Sequence, residues 1–249
     1  MNVWLALLSV TIVSLLSLLG ASLVRFKKQV LEEIITYSLA FSSGVLLGGA
    51  FLDLIPESID RLGGATYTWI LVGIVSFFCL EKLISWHHHI DGDHEHEEEK
   101  PVAYLTLIGD GIHNFTDGAV IGAAYIASIP IGITTTLAII AHEIPHELSD
   151  FLVLIHGGFS HKKALTYNFY SALTAVAGTL LLLYAATQYR VVEQYMLPFA
   201  AGNFIYIASS DLIPELLTKR KGTTSLMQIT LLILGTLLIP IVQHFLGKA

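Results

Sequence analysis

Metal-ligand side chains interrupt two apolar stretches near the middle of the chain. Ionisable groups inside such a stretch cost several kcal/mol, so they usually persist with a partner and a function. Imidazole and carboxylate groups together suit Zn²⁺, Fe²⁺, Mn²⁺ and related divalent ions, and the lack of thiolates among them argues against Cu(I). The candidate metal ligands are His113, Asn114, Asp117, His142, Glu143, His146 and Glu147.

Helical periodicity arranges these side chains in two polar stripes. At about 100° per residue, His113 and Asp117 are neighbours on one helix face, and His142 overlies His146 on another. We expect the two stripes to face each other near the middle of a bilayer. A buried polar network that joins the helices is the structural alternative. Seven ligand-type residues on two facing stripes favour a divalent-metal site over such a network.

The composition indicates a helical membrane protein. The chain is 54% hydrophobic and 13% charged, against about 25% charged in typical soluble domains. Its mean hydropathy is +0.69, and apolar runs of about twenty residues recur, which is the length that spans a bilayer. We predict an all-α membrane protein with eight transmembrane helices, forming a single transmembrane domain over residues 1–249. The predicted spans are 3–24, 34–56, 67–86, 102–127, 131–156, 165–187, 195–217 and 225–246.

The distribution of positive charge predicts the orientation. Eight spans put both termini on one side of the membrane, and ten of the 13 Lys and Arg residues then lie on the other side. Because cytoplasmic loops carry the excess of Lys and Arg, we predict that both termini are extracytoplasmic. We expect the plasma membrane, with a prokaryotic inner membrane favoured. No basic tract with interleaved aromatic residues is present, so no nucleic-acid partner is predicted.

A hydrophilic loop rich in histidine and acidic residues is predicted at 87–100, on the cytoplasmic side between spans three and four. Histidines in this setting bind borderline metals weakly and in several geometries. A solvated charged linker is the alternative, and both interpretations stay open. The loop histidines are His87, His88, His89, His94 and His96.

An internal repeat relates two distant parts of the chain. Residues 41–57 are FSSGVLLGGAFLDLIPE and residues 199–215 are FAAGNFIYIASSDLIPE, with eight of seventeen positions identical. In the predicted topology the two copies run in opposite directions across the bilayer. This predicts an inverted repeat of spans 1–3 and 6–8 around a central pair formed by spans 4 and 5.

Further polar residues in the apolar segments are candidates for an ion pathway. The acids of the repeated segment would lie near the outer face in the first copy and near the cytoplasmic face in the second. They either attract cations on each side or are helix-end carboxylates in the headgroup region, and the sequence leaves both open. The pathway candidates are Asp53, Glu57, Asp110, Asp150, Asn203, Asp211 and Glu215, with Asn168 as a weaker one.

The second stripe also matches the HExxH pattern of zinc metalloproteases, from His142 to His146. Pro145 lies inside the pentapeptide and would disturb the helix that this geometry needs. It also leaves the carbonyl of Ala141 without its usual donor, so we expect that oxygen to be offered to an ion or a water. The first stripe adds more ligands than a catalytic zinc with an open position requires. We therefore expect a transport site and no enzyme activity, with an intramembrane metalloprotease as the alternative.

The same two motifs carry a family resemblance. HNFTDG at 113–118, followed by HEIPHELSD at 142–150, resembles the paired motifs of the ZIP (Zrt/Irt-like) divalent-metal transporters. The second motif is closest to the HExPHExGD subfamily, although Ser149 stands where that pattern has glycine. Eight spans, a histidine-rich loop between spans three and four, and outside termini also match. The resemblance therefore extends over the full chain.

The resemblance implies uptake of a divalent cation into the cytoplasm through a two-metal centre. Zn²⁺ is the expected cargo, with Fe²⁺, Mn²⁺ or Cd²⁺ as alternatives, and no cofactor is expected. It also implies alternating access, in which spans one, four, five and six slide against the others, and a homodimer in the bilayer. One metal position would use His113, Asp117, His142 and His146, and the neighbouring one Asn114, Glu143 and Glu147, with His146 touching both. Because these groups bind metal as neutral imidazoles and ionised carboxylates, affinity should fall at low pH.

Overall fold

A computed structural model describes residues 2–20, 28–90, 99–189, 191–218 and 222–247. Within these ranges the regular structure is helical and contains no strand. We number the helices α1 to α8 in chain order. The first four are α1 (Val3–Leu16, followed by a 3-10 turn at Ser17–Leu19), α2 (Lys28–Gly49, Ala50–Leu54 and Ile55–Leu62), α3 (Ala65–Ile90) and α4 (Glu99–Ala127). The others are α5 (Ile129–His156), α6 (His161–Ala172 and Thr174–Gln188), α7 (Val192–Tyr206, Ile207–Leu212 and Ile213–Thr218) and α8 (Gly222–Phe245).

Five of these helices are long and apolar enough to cross a membrane, which agrees with an all-α membrane protein. They cover Val30–Leu62, Ala65–Leu83, His161–Gln188, Val192–Thr218 and Ser225–Phe245. Helices α4 and α5 have 29 and 28 residues but carry the ionisable stripes, and the apolar α1 is shorter. The count of eight spans therefore stays a prediction.

Several predicted boundaries were wrong by a few residues. Helix α2 continues beyond the predicted end at 56, because Pro56 lies in the first turn of the segment that follows and needs no backbone donor there. The predicted loop at 87–100 is shorter, since α3 continues to Ile90 and α4 begins at Glu99. Residues 91–98, with His94 and His96, lie outside the described residues, and the side chains of the other three loop histidines are also outside the description.

Helix α2 packs along α8 at glycine contacts that bring the two backbones together. A Cβ at Gly44 would lie 2.0 Å from the carbonyl oxygen of Leu232, and a Cβ at Gly235 would lie 2.2 Å from that of Phe41. Any side chain at either glycine would force the helices apart. The close approach therefore depends on these two positions.

The same contact occurs between α7 and α3. A Cβ at Gly202 would lie 2.2 Å from the carbonyl oxygen of Ile70, and a Cβ at Gly73 would lie 2.3 Å from that of Phe199. Phe199 and Gly202 hold the positions in the second repeated segment that phenylalanine and glycine hold in the first. The α2–α8 and α7–α3 pairs are thus joined by corresponding residues.

Both repeated segments also contain a wide, π-helical turn at the same place. In α2 the N–H of Ile55 bonds the carbonyl of Ala50, and in α7 the N–H of Ile213 bonds the carbonyl of Ala208. A proline follows one residue later in each copy and removes a donor from the regular ladder. The wide turns accommodate that loss, as π-bulges do within α-helices.

Helices α4 and α5 form an antiparallel pair joined at Ser128. The hydroxyl of Ser128 accepts a hydrogen bond from the N–H of Ile131 at 3.3 Å, which caps α5. Gly132 leaves room for the ring of Tyr125, to which a Cβ would come within 2.3 Å. This tight turn places the middle of α4 opposite the middle of α5, where the two polar stripes lie.

Candidate metal centre

Four side chains from α4 and α5 converge on one point: His113, Asp117, His142 and Glu143. Each offers a ligand atom, and these atoms all lie within 4.8 Å of one another. The Nε2 of His142 is 2.9 Å from Asp117 Oδ2 and 3.2 Å from the Nε2 of His113. The Nε2 of His113 is 3.3 Å from Glu143 Oε1. Two nitrogens and two carboxylate oxygens therefore share one small volume.

The spacing of these atoms suits a tetrahedral ion. Ligand atoms about 2.1 Å from a zinc ion in tetrahedral geometry lie about 3.4 Å from one another. The distance from His142 Nε2 to Glu143 Oε1 is 3.4 Å, and that from His113 Nε2 to Asp117 Oδ2 is 3.7 Å. Four ligand atoms at such separations can bind one divalent ion with little rearrangement.

The backbone of α5 orients the central histidine. His142 is buried, and its Nδ1 lies 3.1 Å from the carbonyl oxygen of Ala138. Because a carbonyl oxygen only accepts, Nδ1 carries the proton and donates it to this bond. In the neutral imidazole, the form that binds metal, Nε2 then has a lone pair that points into the cluster. Hydrogen bonds of this kind fix the tautomer of metal-binding histidines.

His146 lies beside the four-residue cluster. Its ring stacks on that of His113, with centroids 4.9 Å apart and planes 9° from parallel. It also lines a cavity that reaches the cluster. Of the candidate ligands on the two stripes, the structure brings four into one compact group and places His146 next to it.

Candidates inside and outside the cluster leave buried oxygen atoms without a hydrogen-bond donor among the described residues. Asn114 donates to Asp110 Oδ1 at 2.7 Å, while its own Oδ1 has no partner. Asn168 donates to Glu147 Oε2 at 2.5 Å, while Glu147 Oε1 and Glu143 Oε2 have none. Such atoms are costly in an interior unless a partner satisfies them. A cation would provide that partner.

The carbonyl of Ala141, which Pro145 deprives of its usual donor, has a partner in α2. The hydroxyl of Ser42 donates a hydrogen bond to it. We expected this oxygen to be offered to an ion or a water, but in the structure a serine takes it. The sequence contained no signal for this contact, because the two residues are 99 positions apart.

At one end of the helix bundle, near the α4–α5 turn, one pathway candidate is buried and a second is partly exposed. Asp53 is 2% exposed and accepts hydrogen bonds from the hydroxyl of Thr134 and, at 2.5 Å, from Gln243 Nε2. Glu57 pairs with Arg61 at 2.7 Å. We call this the Asp53 end. Here α2, α5 and α8 close over the acid, so it lies beneath the surface instead of in an open vestibule.

At the opposite end a cavity of about 240 Å³ leads to the cluster. Asp211 is exposed in its wall, and we call this the Asp211 end. Gly109 also lines the cavity. It lies about 27 Å along α4 from the end of that helix at the α4–α5 turn, at 1.5 Å per residue. The lining residues are Phe77, Leu80, Glu81, Gly109, His113, His146, Tyr206, Ile207 and Asp211.

The other pathway candidates occupy different settings. Asp110 is buried below Asn114, while Asp150 and Glu215 are partly buried. With its amide oriented to donate, Asn203 bonds the carbonyl oxygens of Gly73 and Phe199 at 3.1 and 3.3 Å. Its side chain therefore joins α7 to α3, and it is not among the residues that line the cavity. Sequence reasoning missed Glu81, Tyr206 and Gln243, although a glutamine in an apolar span is itself a signal of a buried contact.

Comparison with known proteins agrees with the chemistry of this centre. The family model described as ZIP Zinc transporter matches residues 2–102 and 87–243. Zinc transporter zipt-7.2 of Caenorhabditis elegans is 34% identical over 83% of this chain and 58% of its own length. Zinc transporter ZIP13 of Pongo abelii is 33% identical over 83% of this chain and 66% of its own length. Zinc transporter SLC39A7 of Mus musculus is 30% identical over 83% of this chain and 62% of its own length.

The chain thus spans roughly three fifths of the length of these curated relatives. All three are named as transporters, and nothing in the comparison supports the metalloprotease alternative. Members of the matched family are transporters and not enzymes. With the family model covering most of its length, the chain belongs to the ZIP zinc transporter family.

Proposed function

We propose that the chain carries a divalent cation, most readily Zn²⁺, across a membrane through the cluster on α4 and α5. The observation that carries this proposal is the convergence of His113, Asp117, His142 and Glu143, with ligand atoms spaced as in the shell of one ion. A cavity reaches the cluster from one end, while the other end is closed over Asp53. A site accessible from one side at a time is what alternating access requires.

We assign two neighbouring metal positions. The first uses His113, His142 and Asp117 of the four-residue cluster, and His146 lies close by. The second uses Asn114, Glu143 and Glu147, and the buried oxygens without donors support it. Glu143 is shared between the two groups in this assignment: its Oε1 lies 3.3 Å from His113 Nε2, and both of its buried oxygens lack a hydrogen-bond donor.

The proposed architecture has eight spans in one domain, with an inverted repeat of spans 1–3 and 6–8. The repeated glycine contacts and the two wide turns support the repeat. So does the crossing of α2 and α7, where a Cβ at Gly49 would lie 3.7 Å from the ring of Phe204. From this crossing α2 runs to the Asp53 end, while α7 runs to the Asp211 end.

The predicted orientation makes the transport an uptake. The bias of Lys and Arg puts the Asp211 end in the cytoplasm and both termini outside. The cation enters near Asp53 and Glu57, exchanges water for the α4–α5 ligands, and leaves past Asp211 and Glu215 toward the loop histidines. We place the protein in the plasma membrane, as a homodimer. The relatives named above come from animals, so a prokaryotic inner membrane remains a prediction from the sequence alone.

Uptake of radioactive zinc into proteoliposomes containing the purified protein tests the proposal. We expect time-dependent accumulation that the paired change His142→Ala and His146→Ala abolishes. His156→Ala is the matched control, because His156 is an exposed histidine of the same helix, and it should retain uptake. Competition by Fe²⁺, Mn²⁺ and Cd²⁺ ranks the cargo. Zinc binding without accumulation, together with cleavage of a membrane peptide, would instead favour the protease.

A further inference from the structure

Contacts within the bundle join α1, α4, α5 and α6 into one group of helices. The hydroxyl of Ser14 in α1 donates to the carbonyl of Ala172 in α6 at 2.9 Å. Thr179 of α6 donates to the carbonyl of Gly118 in α4 at 2.7 Å, and the turn at Ser128 joins α4 to α5. We call these four helices the sliding group, because they are the spans that the alternating-access scheme moves.

The other four helices form a second group, which we call the supporting group. Glycine contacts join α2 to α8 and α7 to α3. Thr66 at the start of α3 donates to the carbonyl of Ser58 in α2 at 2.9 Å. The ring of Phe204 in α7 packs against α2 at Gly49. Each group thus has its own internal contacts and can move as a unit.

The cavity of about 240 Å³ lies at the boundary between the two groups. The supporting group forms one side of its wall, with Leu80 of α3 and Asp211 of α7. The sliding group forms the other side, with Gly109 of α4 and His146 of α5. At the Asp211 end this boundary is therefore open as far as the metal cluster.

From the cluster to the Asp53 end, hydrogen bonds cross the same boundary. Each joins a residue of α2, in the supporting group, to a residue of α4 or α5, in the sliding group. The pairs are Ser42 with the carbonyl of Ala141, Asp53 with Thr134, and Arg61 with the carbonyl of Ala127. Ser42 and Arg61 are 19 residues apart, so the contacts extend over about 28 Å of α2. We call these three contacts the α2 seam.

The central contact of the α2 seam is the one with the strongest chemistry. Asp53 is 2% exposed, and its Oδ1 accepts from Gln243 of α8 at 2.5 Å. The supporting group thus holds the carboxylate in place, while the sliding group supplies the buried hydroxyl of Thr134. Hydrogen bonds to a carboxylate are stronger than those between neutral groups. The outermost contact is looser, with 3.4 Å from Arg61 Nη2 to the carbonyl oxygen of Ala127.

We propose that the α2 seam is a latch that keeps the metal cluster closed to the Asp53 end, with the bond from Thr134 to Asp53 as its main contact. The inference rests on the proposed transport function, and it identifies what holds the state in which the cavity is open. When the sliding group moves along α2, Thr134 leaves Asp53 and the seam parts. A weaker seam therefore increases the population that is open to the Asp53 end.

Replacement of Thr134 by valine removes the hydroxyl and keeps a β-branched side chain. Because a hydrogen bond to a charged group is worth a factor of about ten or more in an equilibrium, Thr134→Val should raise the open population about tenfold. Thr134 also bonds the carbonyl of Pro130 in its own helix. Thr136→Val is the matched control, since its hydroxyl is also buried and donates at 2.6 Å to the carbonyl of Gly132 in the same helix.

Cysteine alkylation of the purified protein measures the opening without any transport assay. Cys79 is the single cysteine of the chain, so Cys79→Ser gives a background without cysteine. Ala138→Cys places a thiol in the seam, because Ala138 is fully buried and its Cβ would lie 3.6 Å from a Cβ at Gly49 of α2. We expect iodoacetamide to react with this thiol about tenfold faster in Thr134→Val than in the parent. Thr136→Val should leave the rate unchanged.

Two further variants separate opening of the seam from other effects. Ala164→Cys, at a buried position inside the sliding group, should stay equally protected in Thr134→Val. Ser42→Ala weakens the seam from another helix and should speed alkylation at Ala138→Cys about fivefold, as expected for a hydrogen bond between neutral groups.

The outcomes are distinct. Unchanged or slower alkylation of Ala138→Cys in both monodisperse seam variants would overturn the latch. Equal acceleration at Ala164→Cys would also overturn it, because it would show general loosening of the helices. Absent zinc uptake with the expected alkylation pattern intact would overturn only the transport function.

Discussion

The Asp53 end and the Asp211 end are formed by corresponding residues and yet differ in state. Each joins two helices by reciprocal glycine contacts, and each has a wide turn that contains an aspartate. At the Asp53 end the aspartate is buried under two hydrogen bonds, whereas at the Asp211 end it lies exposed in a cavity wall. The comparison teaches that the shared residues form the same helix contacts at both ends, while the residues that differ give each aspartate its own surroundings.

The largest expected effect tests the scaffold at both ends. Gly44→Ala and Gly202→Ala each place a Cβ within about 2 Å of a backbone carbonyl oxygen, which cannot move aside as a flexible side chain would. We expect each to lower the free energy of unfolding by about 3 kcal/mol, at the upper end of overpacking costs. Thermal unfolding of the purified variants measures this.

Gly64→Ala is the control for these glycines, because no atom lies within 4 Å of its Cβ position. Its stability should match that of the parent. If Gly44→Ala is destabilising and Gly202→Ala is not, the two helix pairs are not equivalent and the comparison fails.

A smaller effect should separate the two aspartates. Asp53→Ala removes the acceptor for Gln243 and one of the acceptors for Thr134, whose hydroxyl also bonds backbone carbonyls of its own helix. We therefore expect a cost of about 2 kcal/mol, within the value of one hydrogen bond to a charged group. Asp211→Ala changes an exposed side chain and should cost less than about 0.5 kcal/mol. Hydrogen exchange of the α8 backbone, compared between the variants, should rise only in Asp53→Ala. Equal protection in both would show that the buried contact does not hold the Asp53 end closed.

The smallest effect concerns a position where the two repeated segments differ. Ser42 donates to the carbonyl of Ala141, and the corresponding residue of the second segment is Ala200. Ser42→Ala leaves a buried carbonyl unpaired and should cost about 1–2 kcal/mol in the free energy of unfolding. Ser38→Ala, a change in the same helix of a serine that bonds only its own backbone, should cost less. Similar costs for the two serine variants would mean that the Ser42 hydroxyl does not stabilise the α5 carbonyl that Pro145 leaves without a donor.

The helices and the ligand stripes were predictable because they depend on neighbours close in sequence. His113 with Asp117, and His142 with His146, are four residues apart, which places each pair on one helix face in any fold. The repeated Asp-Leu-Ile-Pro-Glu string is visible for the same reason. Helix ends were less predictable, because Pro56 is tolerated once a wide turn precedes it and composition alone does not reveal that turn.

The sequence by itself determined which side chains can bind a cation and that two stripes of them lie on apolar helices. Only the tertiary structure decided which groups meet, since contacts between helices depend on packing between segments far apart in the chain. That packing brings Glu143 to the two histidines, gives the Ala141 carbonyl to Ser42, and buries Asp53 beside Gln243. It also leaves Asp211 exposed in a cavity wall, although the local sequence of the two aspartates is the same.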